Sequence, residues 1–155
     1  MEIREILAPE AVSAHQRATS KKQLFQEIGA RAADVYGLDA RAVFEALLER
    51  ERLGPTAMGR GVAAPHARIA GAADIRGVFL RLDKPIGFDA MDDEPVDLVF
   101  ALIAPEEAGA DHLRALARVS RSLRDPSVCA KLRSCMDSSA LYALLTENSA
   151  ATRAA

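Results

Sequence analysis

The chain has no tryptophan, two tyrosines and five phenylalanines. A core with so few rings must be built from Leu, Val, Ile and Ala, which the 50% hydrophobic content supplies. There are only two cysteines, Cys129 and Cys135. Their spacing puts them on different faces of a helix, which argues against a bridge and for two reduced thiols in a cytosolic protein. No apolar run reaches the roughly 18 residues that mark a membrane span. The start, MEIREILAPE, is charged too early for a signal-peptide core. Neither sign of charge dominates: 20 basic and 22 acidic residues leave a formal −2. A dedicated nucleic-acid surface would show as a basic stripe, so nucleic acid is not an expected partner. The three histidines and two cysteines include no pair at C-x-x-C or H-E-x-x-H spacing, so no metal is expected. The absence of a G-x-S-x-G elbow speaks against serine hydrolysis.

At 155 residues the chain is expected to be one domain, with roughly 68–70% of its unfolded surface removed from water on folding. The first 18 residues are weakly patterned, with a short strand expected over Ala11–His15. Ser20 and Gln23 have capping-box spacing. Leu24, Phe25, Ile28, Ala32 and Val35 then predict a helix that stops at Gly37. Asp39 caps a second helix carrying Val43, Phe44, Leu47 and Leu48, which ends at Gly54-Pro55. A glycine-flexed turn leads into a short strand, Val62–Ala64. Alternation predicts a strand over Ile75–Leu82 and a turn at Asp83-Lys84-Pro85, with Ile86–Phe88 pairing back. After an acidic loop, Val96–Ala104 is almost continuously apolar and reads as a central strand covered on both faces. Helices follow over Asp111–Leu123, from Asp125-Pro126 to about Met136, and from Asp137 or Ser138 through Leu145. Residues 149–155 read as a frayed tail. Strands interleaved with helices predict an α/β fold, one sheet flanked by helices on both sides.

Within that frame, MGRGVAAPHA (58–67) delivers one imidazole, His66, past the end of a short strand, where open α/β sheets place ligands. His112 lies on one helical stripe with Leu116, Val119 and Leu123, so a first-turn histidine faces the buried side. The positive helix end disfavours its cation and keeps it neutral. Arg50 extends the Val43, Leu47 stripe, where an arginine asks for an anion. Glu49, Glu51 and Arg52 read as a solvated charge run, and His15 as surface. Thr56, Gly59 and Gly61 form a loop whose N–H groups and hydroxyl suit an anion. Each residue alone also fits a plain structural role: a satisfied loop histidine, a core histidine on a carbonyl, an arginine answering a helix dipole. Together they suit phosphate on a histidine.

The segment ERERLGPTAMGRGVAAPHA (49–67) resembles the phosphorylation-site motif of the fructose/mannitol class of phosphotransferase-system IIA domains. FDAMDDEPVDLVFALIAPEE and DHLRALARVSRSL also look like that family, and the likeness runs over roughly residues 10–147. Within the class the chain is most similar to the free-standing, nitrogen-related branch. The resemblance implies a mixed sheet between helices, with the domain over 1–148. It implies that His66 is the phosphorylated histidine, that His112 is the second active-site histidine, and that Arg50 and Thr56 support the phosphoryl group. No cofactor is implied. The implied partners are an HPr-like phosphocarrier and either regulatory targets or a IIB domain, in the cytoplasm. Two functions stay open: a phosphorylation-dependent regulator, and a carrier feeding a sugar permease. A hydrolase using His66 is a third, weaker class. Arg60, where relatives often carry Asn or Glu, and Ala64 and Ala67, where a larger aliphatic and Gly are usual, depart from the pattern.

Overall fold

The computed structural model describes residues 1–154, with side chains through Glu147. The tail expected at 149–155 lies outside the fully described residues. The chain opens with a single helical turn, α1 (Ile3–Ile6), and the strand β1 (Leu7–Gln16). The helix was not expected. The strand is longer than Ala11–His15 because it lies in parallel along a long neighbour.

Next come α2 (Lys21–Tyr36) and α3 (Ala40–Arg52). The Ser20 hydroxyl accepts the Gln23 N–H, as the cap spacing predicts. The Gln23 side chain reaches back one residue further than a capping box requires, accepting the Thr19 N–H and hydroxyl. Gly37, at φ 71°, closes α2 in the left-handed conformation that favours glycine. Gly29 sets the approach of the two helices: a Cβ there would lie 2.5 Å from the Ala40 carbonyl oxygen. The Asp39 carboxylate accepts the Arg41 and Ala42 N–H groups and fixes the start of α3.

Three short strands follow, β2 (Ala57–Gly59), β3 (Val62–Ala63) and β4 (His66–Ile69), then the long strands β5 (Arg76–Ile86) and β6 (Val96–Pro105). The sheet order is β1-β5-β6-β3-β2, with β4 also on β6. Pairing is mixed: β1 with β5, and β3 and β4 with β6, are parallel, while β5–β6 and β2–β3 are antiparallel. Central β6 is buried along nearly its whole length, as its apolar run predicts. The turn expected at Asp83-Lys84-Pro85 is absent. There β5 runs on, and its register on β6 shifts between Arg81 and Ile86. The extra residues form a bulge, which tolerates the proline's missing N–H without ending the strand.

The chain finishes with α4 (Ala110–Leu123), α5 (Pro126–Ser134) and α6 (Ser138–Ala154). Helices α2 and α3 pack together and against β1, β5 and β4; α4, α5 and α6 form a second group against β6 and β1. Cys129 and Cys135 are free thiols. Among the described residues, no helix is long and apolar enough to cross a membrane.

Candidate functional site

The sequence placed His66 past the end of a short strand, so that the chain would leave the sheet at Pro65. It leaves and returns. Val62 pairs with Leu98 and His66 with Leu102, so β3 and β4 keep one register along β6. The break at Ala64-Pro65 is a local interruption of one strand, fitting a residue without an N–H to donate. Pro65 still accepts the Leu102 N–H through its carbonyl. His66 therefore opens β4 rather than trailing a strand. Alternation sends His66 and Arg68 to the more open face, while Ala67 and Ile69 are buried.

The interruption orients the imidazole. His66 Nδ1 lies 2.9 Å from the Ala64 carbonyl oxygen. A carbonyl only accepts, so Nδ1 carries the proton and Nε2 keeps its lone pair. Burial pushes the His66 pKa down. The Ala64 bond and the Glu51 charge oppose that shift, and Arg50 adds to it.

His112 comes from the first turn of α4 and is buried. Its ring stands edge-on to His66, centroids 5.6 Å apart at 72°. Arg68 Nε–H donates to His112 Nδ1 at 3.1 Å. Nδ1 is thus the acceptor, and the proton of the neutral ring sits on Nε2. That nitrogen is buried without a hydrogen-bond partner. Burial, His66 and Arg68 all lower the His112 pKa. The pair is neutral at pH 7: one ring offers a lone pair, and the other holds an unanswered N–H.

Arg50 is half-buried at the end of α3 and donates to the Gly54 carbonyl at 2.9 Å. It makes no ion pair among the described residues, so most of its five donors remain for an anion. Thr56 is buried, and its role differs from the loop reading. Its N–H and its hydroxyl both donate to Glu51, at 2.8 and 2.6 Å. The Arg60 N–H at the hairpin tip donates to Asp92. The Thr56 donors are thus spent on Glu51 and the Arg60 N–H on Asp92. Thr56 instead supports from behind: its carbonyl accepts the Ala64 N–H at 3.0 Å.

Glu51 corrects the solvated-run reading. It is 8% exposed, and Lys21 Nζ also reaches it, at 3.2 Å. Lys21 in turn touches Asp89 and lies 4.7 Å from the Phe88 ring centre. The result is a chain from Lys21 through Glu51, Thr56 and Ala64 to His66 Nδ1. The signal was present, since Val43, Leu47 and Glu51 follow i, i+4, i+8 on one buried stripe. Arg68 was also missed, and strand alternation two residues past His66 would have found it. Among the described residues, no group of three or more His, Cys, Asp or Glu side chains could hold a metal ion.

The family model described as phosphoenolpyruvate-dependent sugar phosphotransferase system, EIIA 2, matches residues 5–148. A nitrogen regulatory protein of Bradyrhizobium diazoefficiens is 53% identical over 145 residues, covering 94% of this chain and 95% of that one. A nitrogen regulatory protein of Klebsiella oxytoca is 37% identical over 148 residues, covering 95% and 91%. The crystal structure of nitrogen regulatory protein IIA-Ntr from Neisseria meningitidis superposes with a TM-score of 0.87 at 38% identity, covering 93% of this chain and 99% of that one.

Proposed function

Because this chain belongs to the EIIA type 2 family of the phosphoenolpyruvate-dependent sugar phosphotransferase system, we propose that it is a phosphohistidine protein of the nitrogen-related branch, phosphorylated on His66 Nε2 by an HPr-like phosphocarrier. Its phosphorylation state then governs binding to regulatory target proteins in the cytoplasm. The observation that carries this reading is the tautomer: the Ala64 carbonyl holds the proton on Nδ1 and leaves the Nε2 lone pair free.

The lone pair of His66 Nε2 attacks phosphorus, the N–P bond of the donor phosphohistidine breaks, and the donor nitrogen recovers its electron pair. The Nδ1 proton stays in place. Such a transfer depends on positioning and charge stabilisation more than on covalent assistance. Arg50 and Arg68 supply positive charge, and the unpartnered His112 Nε2–H supplies a neutral donor. A cationic His112 would add charge but would also repel a protonated His66, so the low pKa of each ring suits the other. Exposed Leu53 and Leu113, beside Arg50 and His112 in the chain, give the donor an apolar surface. The added negative charge is the signal that a target reads.

The test is intact mass after mixing the protein with enzyme I, an HPr-like carrier and phosphoenolpyruvate. One acid-labile phosphate, lost in His66→Ala, is expected. Unchanged mass with both sugar-type and nitrogen-type carriers overturns the reading. Onward transfer to a IIB domain would replace the regulatory output with a carrier role.

A further inference from the structure

A cleft of about 820 Å3 lies between the β2–β3 hairpin, the loop after β5 and the α4–α5 corner. It is separate from the histidine pair: Leu123, on its wall, is about 16 Å along α4 from His112, at 1.5 Å per residue. Met58, Met91 and Leu123 give it an apolar lining, and Arg60, Arg124 and Arg133 give it charge. We propose that this cleft binds a small organic anion with an apolar body, a carboxylate or a phosphate ester, whose charge is met by Arg60 and Arg124.

The three arginines are not equivalent. Arg133 is already engaged, gripping both Asp97 oxygens and donating to the Arg60 carbonyl at 2.7 Å. It acts as a strut. A Cβ on Gly61 would stand 2.6 Å from its guanidinium, and Gly61 sits at φ 81°, so the hairpin tip closely fits this strut. Arg60 is held on both sides of its backbone, by Asp92 at its N–H and by Arg133 at its carbonyl, in a left-handed conformation at φ 57°. Its side chain projects from a fixed point. Neither Arg60 nor Arg124 makes a side-chain hydrogen bond or ion pair among the described residues. The one carboxylate lining the cleft, Asp92, is answered by the backbone N–H groups of Arg60 and Glu94.

Two exposed arginines without a carboxylate partner among the described residues thus line a concavity in a chain whose net charge is −2. An anion that reached both would gain charge-assisted hydrogen bonds from each. The apolar lining excludes a bare inorganic ion as the best ligand, and Met91, fully exposed in the free protein, gains cover when an apolar body enters. The volume falls within the roughly 300–1,000 Å3 typical of small-molecule sites. Arg60 is also a residue that phosphate chemistry at His66 leaves unused. Nothing in the cleft depends on phosphorylation of His66.

The test is calorimetric titration of the full chain with octanoate and with octyl phosphate, using octanol and inorganic phosphate as controls. Saturable one-site binding of at least one anion is expected, with both controls at least about tenfold weaker, as a charge-assisted contact plus apolar burial requires. The stronger anion identifies the headgroup. Binding should fall at least about tenfold in the Arg60→Gln, Arg124→Gln double variant, as expected for losing two charge-assisted contacts. Phosphate acceptance by His66 and the melting temperature should not change in that variant. Met91→Glu, at a side chain that folding does not cover, should weaken binding independently. No saturable binding of either anion, octanol binding as well as the anions, or wild-type affinity in the double variant and Met91→Glu would each overturn the proposal.

Discussion

His15 and His66 lie on the same sheet and have opposite hydrogen-bond inventories. His15, half exposed, faces Asp83 with Nδ1 at 3.2 Å and the Met136 carbonyl with Nε2 at 3.0 Å. Both partners are acceptor oxygens, so each ring nitrogen already faces an oxygen of the protein. His66 gives one nitrogen to the Ala64 carbonyl and keeps the other free, in a desolvated setting beside a second neutral ring. His15 ties β1 and β5 to the α5–α6 junction. The difference lies in what surrounds the rings: an interrupted strand turns a carbonyl toward His66, and among the described residues no carboxylate bonds to it.

The sharpest way to break this comparison is to exchange roles by mutation. His66→Ala should abolish phosphate acceptance, while His15→Ala should accept a full equivalent. Intact mass decides, and labelling of the His66 variant at full stoichiometry would remove the distinction. Arg50→Ala and His112→Ala should keep some acceptance but slow it by about 10²–10³-fold, the cost of losing one preorganised donor to a developing charge. Rapid-quench transfer kinetics measure this. Wild-type rates in both variants would reduce these residues to packing.

How far the sequence revealed this arrangement depends on the range of the interactions. Central β6 could be read because continuous apolar character depends only on its own residues. His112 could be read because 3.6-residue periodicity puts it among Leu116, Val119 and Leu123. The α2 and α3 caps, set by local side-chain geometry, were legible for the same reason. The Asp83-Lys84-Pro85 bulge was not, because a proline in sequence reads as a turn and only the neighbouring strand can absorb it. The Ala64-Pro65 interruption was half legible: the loss of an N–H was visible, the return to the same register was not. Glu51 was hidden by its charge. Its periodicity marked it as buried, but its partners Thr56 and Lys21 lie five and thirty residues away, and without them a buried carboxylate looks implausible.

Glu51 sharpens the comparison at the next scale. If it positions His66 through Thr56 and Ala64, Glu51→Gln should slow transfer about tenfold, in line with losing a charge-assisted hydrogen bond. It should also lower the His66 pKa further, because the Glu51 charge raises it. Proton NMR titration of the imidazole reads that shift, which a purely structural role would not produce. Thr56→Val, which leaves a Glu51 oxygen buried without its hydroxyl donor, should cost about 1–3 kcal/mol of stability. Denaturant unfolding checks this.

The smallest expected effect concerns pH. Burial lowers the pKa of both His66 and His112 in the folded state. In the unfolded chain both return to about 6.5. Below that value the unfolded state binds protons that the folded state refuses, so stability falls as pH drops from about 6.5 toward the depressed folded values. Above about 7.5 both states hold neutral rings, and neither histidine contributes a slope. The slope cannot exceed about 1.4 kcal/mol per pH unit for each ring. His112→Gln should remove its share by leaving no titrating group at that position. Urea unfolding at pH 7.5 and pH 5.5 measures the difference, and an equal loss in wild type and His112→Gln would mean that the acid sensitivity lies elsewhere. Phosphate acceptance should persist below pH 6.5 for the same reason: the His66 ring stays neutral where an exposed histidine would already be protonated.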